Sequence, residues 1–563
     1  MKRIVVFLCV ALACASIGWA AYRVAAPEPA PLSKFVPAGS LLYLEAQDFS
    51  SLLNDWNSSP QKRQWITSDN YQVFSRSRLF LRLSGASDQF RAAAGLPPDL
   101  DLISQIAGGH SVLALYDIGK LQFLYISYLP SAKSMQTTLW QTRAKFEPRS
   151  AGGVDFYLRR DPGSEREVAF AVSGDYLLLA TREDLMAEAL ELMSGKQDKT
   201  VESDPWWAQA TAAAGHAGDL RMVLDLERLV PNGYFRTYWV QQNITDLSEY
   251  STALSDLFRS NKEYREERVL VTKAQPDHAP SADALTAAAD LTRLVPDDAG
   301  LYWSRANPTA DACFALLETK LLAPHLGPAP ASELAPEVEL TSGEQGASSD
   351  LETRIDQAPV ESSTSQSRSA LKELLNQTPP LASLQVQSTE ADGAGVFVRF
   401  RTAVVLESAS DWNEERVRSA IADDVRRGLT ASQLGVSWAP KSGYAQLDGL
   451  WPLAVSVHGK YLVASDDPGL MESLVSNFNR KMDRKPLEFY AEFNHRRERQ
   501  NFVRFANLVD RPNASTPGEG EPQFLSGNVA SLTGVLTDVS LERIEIRADG
   551  GRTRQTVTYE WSE

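Results

Sequence analysis

The sequence predicts an α+β fold: two repeated modules with antiparallel sheets and packed helices, after an N-terminal signal or membrane-anchor helix. Three observations carry this. The stretch AVSGDYLLLATREDLMAEAL, Ala171 to Leu190, is echoed 285 residues later by SVHGKYLVASDDPGLMESLV, Ser456 to Val475. A second pair of landmarks, FVPAGSLLY at Phe35–Tyr43 and LVPDDAGLY at Leu294–Tyr302, recurs in the same order at an offset of 259. The chain closes on alternating polar and apolar runs, Leu541–Arg547 and Thr556–Trp561, the pattern of strands with one wet face.

Taken in order, the first element is an address. Lys2 and Arg3 precede an apolar run from Ile4 to Ile17, followed by Gly18, Trp19 and Ala20, which reads as an export signal with a small-residue cleavage site. The run also extends to Ala21, with Tyr22 and Arg23 as interfacial anchors, the pattern of a short retained span. Residues 1–26 are therefore a signal peptide or a membrane anchor, and either reading places the bulk of the chain in the periplasm or on the periplasmic face of the inner membrane. Cys9 and Cys14 belong to this segment. Cys313 then stands alone in the mature chain, so no internal disulfide forms, and its helix-period surroundings, DACFALLETKLL, mark it as a small buried residue.

Module 1 spans residues 34–273. Ser111–Tyr116 and Gln122–Leu129 read as one hairpin, and Val168–Val172 with Tyr176–Ala180 as another, turned at Gly174. Thr181, with Asp184 three residues on, reads as the cap of a helix carrying Leu185, Met186, Ala189 and Leu190. Ser248–Arg259 has helical periodicity and leads into a strand at Arg268–Thr272. Residues 274–290, opening with the Pro- and Ala-rich AQPDHAPSADA, form the linker. Module 2 spans 291–563. Its hairpin keeps Gly459, its helix is capped by Asp466 or Asp467 with Pro468 in the first turn, and Asn413–Gly428 reads as an amphipathic helix. The growth of the offset from 259 to 285 requires about 26 extra residues in the second copy. Residues 327–368, rich in Pro, Ser, Glu and Gly, supply them as a disordered insertion.

Six of the twenty aligned pairs in the repeat are identical: Val172/Val457, Gly174/Gly459, Tyr176/Tyr461, Leu177/Leu462, Leu185/Leu470 and Met186/Met471. All are hairpin or helix-packing positions, so the repeat is scaffold. The Val-Pro-x-x-x-x-Leu-Tyr opening, the Gly-x-Tyr-Leu hairpin and the Leu-Met helix resemble a bacterial family of exported proteins of unknown function. The resemblance implies an envelope protein with duplicated α+β modules, and brings no activity, cofactor or catalytic residue with it.

Charge and spacing exclude several classes. A formal charge of -16 opposes nucleic-acid binding, which needs clustered Lys and Arg. The six histidines are scattered, with no second His or Cys at ligand spacing, and no phosphate loop or nucleophile elbow occurs; we expect no metal and no cofactor. Ser59-Pro60-Gln61-Lys62, Ser68-Asp69-Asn70 and Lys441-Ser442-Gly443 mimic the three signatures of penicillin-recognising enzymes, but five residues between Lys62 and Ser68 are too few to cross between structural layers. What remains is recognition. Trp206, Trp207, Tyr234, Phe235, Tyr238 and Trp239 crowd two short segments, and Arg496, Arg497, Arg499 and Arg504 make the corresponding region of module 2 basic. As partner-binding residues these are interface-type side chains; the bland alternatives are a core edge and a solvated helix face with Glu498 as counterion. The function expected is a non-catalytic envelope protein, a scaffold or binding protein for an envelope protein, lipid or glycan, with membrane contact through the N-terminal segment if it is uncleaved. Two rivals are an envelope hydrolase using carboxylates between the modules and a carrier of a hydrophobic ligand. The carrier requires a continuous apolar cavity behind one of the sheets.

Overall fold

The computed structural model describes residues 31–235, 247–273, 279–322, 369–391, 398–429, 437–448, 452–509 and 538–561. The expected signal or anchor segment at residues 1–26, the insertion expected at 327–368, Tyr238 and Trp239 lie outside the described residues. The fold is α+β, with antiparallel strand pairings throughout the described registers. The chain divides into two compact units, Met1–Asn57 with Arg78–Leu254, and Ser58–Ser77 with Ser255–Glu563.

The first unit contains β1 (Leu42–Ala46), β2 (Ser111–Asp117), β3 (Gln122–Tyr128), β4 (Glu147–Ala151), β5 (Val154–Arg160), β6 (Glu167–Ser173), β7 (Tyr176–Ala180) and β8 (Leu220–Asp225). They pair in the order β8-β1-β2-β3-β7-β6-β5-β4. Side chains alternate between faces along a strand, and here both faces are apolar. Leu124, Ile126, Leu178 and Ala180 point to one face, where helix Glu183–Met193 buries Leu185, Met186, Ala189 and Leu190. Tyr125, Leu177, Leu179 and Phe170 point to the other, under α1 (Phe49–Ser58), α2 (Arg78–Ala94) and α3 (Leu100–Ile106). A run such as Leu177-Leu178-Leu179 is therefore a strand covered on both sides rather than a half-wet one.

The second unit orders its strands β14 (Ser437–Pro440), β15 (Ala445–Asp448), β16 (Leu453–His458), β17 (Tyr461–Ser465), β13 (Val398–Ser408), β12 (Pro380–Ala391), β11 (Leu301–Ala306), β18 (Phe489–Phe493), β19 (Val539–Ala548), β20 (Arg552–Trp561) and β10 (Glu263–Thr272). Helices Ala282–Leu291 and Pro468–Ser476 cover one face with Leu384, Val386 and Val405, and helices Ala310–Leu317, Ala370–Gln377 and Glu414–Leu429 cover the other with Val404, Leu406 and Leu462. The Glu414–Leu429 helix lies where the amphipathic pattern placed it, and Cys313 is buried in this second core, its thiol pushed up to about 12 by desolvation.

Two local expectations are corrected. Ser248–Arg259 is not helical: Tyr250–Arg259 is strand β9, paired with β10. Thr252, Leu254 and Asp256 are buried at alternate positions, and the Ser260 hydroxyl takes the Lys262 and Glu263 amides to close the hairpin turn. The hairpin outweighs the weak helical period. Thr181 does not cap the Glu183–Met193 helix. Its hydroxyl accepts from the Phe123 amide at 2.8 Å, and the cap position is Arg182, without a side-chain capping bond. Within the expected linker, Ser281 caps helix Ala282–Leu291 through the Ala284 amide at 3.1 Å. In the second unit Asp467 is the cap of helix Pro468–Ser476, accepting from the Leu470 amide at 2.8 Å, with Pro468 in the first turn as expected.

Candidate site: an apolar cavity behind the first sheet

In α2, Leu83, Ala86, Ser87 and Phe90 recur at helical spacing and share one face. That face looks across at the sheet's Leu44, Leu113, Phe123, Tyr125, Val168 and Leu179, and α3 closes the side with Leu102, Ile103 and Ile106. Between them lies a cavity of about 400 Å³. Leu83 lines it while remaining 39% exposed, so the cavity opens beside that residue. Leu81 on the same helix is 60% exposed and Leu100 at the start of α3 is 47% exposed.

Most polar groups at the wall are already satisfied by protein. The buried Tyr125 hydroxyl donates to the Ile106 carbonyl at 3.0 Å, and burial raises its pKa. Ser111 and Ser127 hydroxyls bond each other at 2.8 Å. Glu167 accepts from Arg160 Nε at 2.9 Å and from the Glu183 amide at 2.9 Å.

One end is cationic. Arg166, in the loop leading into β6, lines the cavity, donates through Nε to Gln89 Oε1 at 2.9 Å and through Nη1 to the Lys120 carbonyl. Arg82, from α2, donates to the carbonyl of the neighbouring Gly119. The two guanidiniums thus converge on consecutive carbonyls of the β2–β3 turn. Burial, and then the Arg82 charge, hold the Arg166 guanidinium below its ordinary range, with Asp117 opposing. Arg82 Nε is buried without a hydrogen-bond partner, an unusual state for a charged donor. Leu121 completes the turn at φ +50°, in the left-handed region, and its side chain lines the cavity.

The residues singled out in the sequence separate. Trp206 is 8% exposed in the first core, and Trp207 packs edge-on against the fully buried Tyr43 at 4.6 Å between ring centroids. Phe235 is buried. Tyr234 is exposed, at 47%, with Arg82 5.5 Å from its ring centroid and its ring edge against Gly119. In the second unit the four arginines lie on helix His495–Val509. Arg497 pairs with the buried Glu498 and donates to the Thr389 carbonyl at 3.0 Å; Arg499 donates to the Val539 carbonyl at 3.0 Å. Arg496 and Arg504 are exposed. Ser59, of the penicillin-type pattern, caps helix Pro60–Ile66 through the Lys62 amide at 3.1 Å. Arg82 and Arg166 went unnoticed in the sequence. A signal existed for Arg82, a lone cation inside the apolar run Leu79–Leu83, but none for Arg166, which reads as an ordinary turn residue.

The fold and this site define an α+β protein with an apolar internal pocket behind an antiparallel sheet. No family model matches the sequence, and no curated protein matches it. Among solved structures, three crystal forms of TP0453 align. Crystal form I has TM-score 0.23 at 8% identity, over 45% of this chain and 82% of that one. Crystal form III has 0.24 at 11%, over 44% and 83%, and crystal form IV 0.23 at 10%, over 42% and 79%. A likeness at these scores carries no argument about fold or function.

Proposed function

We propose that this is an exported, non-catalytic binding protein of two repeated modules, and that the first module holds one hydrophobic ligand in the cavity between α2, α3 and the sheet. The observation that carries the reading is the cavity itself. Its volume of about 400 Å³ falls in the lower part of the usual small-molecule range, roughly 300–1,000 Å³. Its walls are almost wholly apolar, and an apolar cavity stays dry and takes apolar guests. Removing such a guest from water is the driving force.

The repeat is supported by strand order. The order β4-β5-β6-β7-β3-β2-β1-β8 in the first unit corresponds, strand for strand in chain sequence, to β14-β15-β16-β17-β13-β12-β11-β18 in the second. Gly174 and Gly459 turn the matching hairpins with φ +56° in both. Export rests on the charged, apolar and small-residue pattern of residues 1–26. A scaffold that grips its partner through the Trp206–Phe235 aromatics draws less support, because Trp206 and Phe235 are core residues.

The test uses N-phenyl-1-naphthylamine, whose fluorescence rises in apolar surroundings. The parent chain should bind one probe per molecule, and Ala86→Trp, whose indole takes up part of the cavity from α2, should weaken that binding with the unfolding transition retained. No binding by the parent, or undiminished binding by a folded Ala86→Trp, removes the carrier reading. Leu113→Ala, which enlarges the cavity, should keep binding and so controls for loss of fold.

A further inference from the structure

We propose that the ligand of this cavity is a single-chain amphiphile with a carboxylate head, a fatty acid, its chain in the apolar cavity and its head between Arg166 and Arg82; this rests on the carrier reading above. Two guanidiniums from different elements, one from α2 and one from the loop before β6, are drawn to adjacent carbonyls, Gly119 and Lys120. Like charges so placed repel, and the arrangement holds Arg166 in a half-buried position at the cavity wall. Asp117 is the acidic group that acts on Arg166 here, and its Oδ1 already accepts from the Lys120 amide at 2.8 Å, so Arg82 and Arg166 outnumber it. An anion placed at the cavity wall beside Arg166, the guanidinium that lines it, relieves this repulsion. Arg166 Nη2 is used by neither of its two protein hydrogen bonds.

Chain number follows from volume. A cavity of about 400 Å³ accommodates one acyl chain and excludes the two chains of a phospholipid. Head charge follows from the turn. Arg82 and Arg166 outnumber Asp117 there, which calls for an anionic head, and a carboxylate takes the paired N–H donors of a guanidinium.

The experiment measures competition against N-phenyl-1-naphthylamine by dodecanoate, dodecanol and dodecyl phosphate, using the full chain. We expect dodecanoate to bind at least about tenfold more tightly than dodecanol, the effect of a charged hydrogen-bonded pair. Arg166→Gln and Arg82→Gln are each expected to weaken dodecanoate about tenfold while leaving dodecanol and the probe within about twofold. The dodecanol and probe affinities report that the cavity is still formed. Equal affinity for acid and alcohol, or equal losses for both in the arginine variants, overturns the head assignment and leaves the carrier reading in place. Dodecyl phosphate binding more than tenfold tighter than dodecanoate overturns the carboxylate. Failure of all three ligands and of the probe sinks both readings together.

Discussion

Gly300 lies so close to the Glu498 carboxylate that a Cβ at residue 300 would fall inside Oε1 and only 2.8 Å from Cγ. Neither side can withdraw. Gly300 donates from its amide to Ser388 Oγ at 2.9 Å and accepts from the Asn494 amide at 2.8 Å, while Glu498, 2% exposed, accepts from the Thr389 amide at 3.1 Å and pairs with Arg497. Gly300→Ala is therefore an overpacking change in the second unit and should cost about 1–3 kcal/mol. In urea unfolding, the double variant Gly300→Ala/Glu498→Ala should lose less than the sum of the two single changes, because the clash disappears with its partner. Strict additivity would mean the two residues do not meet.

Gly174 and Gly459 test the matched hairpins. Both have φ +56°; nothing lies within 4 Å of a Cβ built at Gly174, and only Asp411 Oδ1, at 3.5 Å, approaches one at Gly459. The cost of an alanine is then purely conformational, about 1 kcal/mol at each site, with asparagine costing less. Thermal melts of the two alanine and two asparagine variants check this. Unequal penalties would show that the turns, although alike in sequence, are held differently.

These turns were legible in the sequence because everything that makes them is local: a glycine between two β-rich runs. The same holds for Asp467-Pro468. Thr181 misled because its hydroxyl serves the Phe123 amide, 58 residues away, and no local pattern announces such a partner. Ser248–Arg259 misled because a short helical period competed with an unseen strand partner, β10. Trp206 and Phe235 looked like interface residues because composition does not distinguish a core aromatic from an exposed one. The cavity was hidden for a further reason. It depends on how α2 is held above the sheet, and the spacing of Leu83, Ala86, Ser87 and Phe90 shows a helix face without showing whether that face is packed tight or left open.

Asp466 gives a pH test. Burial pushes its carboxyl up to about 6, against the bond from the Thr402 amide at 2.7 Å and the Arg399 charge, with Asp467 adding to the rise. A carboxyl whose folded pKa exceeds its unfolded value of about 3.9 keeps a proton longer in the native state, so stability falls as pH rises from about 4 to about 6. The loss from this one group is at most about 3 kcal/mol. Asp466→Asn should flatten that part of the stability curve, since its amide oxygen can still accept from Thr402. Urea midpoints at pH 4 and pH 7 measure it, and an unchanged slope in the variant would assign the dependence to other groups.

The final prediction concerns how affinity depends on chain length. Each methylene moved from water into an apolar wall contributes about 0.8 kcal/mol, about fourfold in Kd. If each occupies the ~30 Å³ share of a water molecule, the cavity of about 400 Å³ holds roughly a dozen. Binding of the saturated acids from octanoate upward should therefore tighten by about fourfold per methylene and then level off once the cavity is full. Ala86→Trp should move the plateau to shorter chains, because the indole occupies part of the space, while Leu113→Ala should move it to longer ones. The direction of these two shifts separates a ligand inside the cavity from one adsorbed on the exposed Leu81 and Leu100 surface, where affinity would keep rising with length and neither substitution would move it. A rise without a plateau, unchanged in both variants, would place the ligand on that surface.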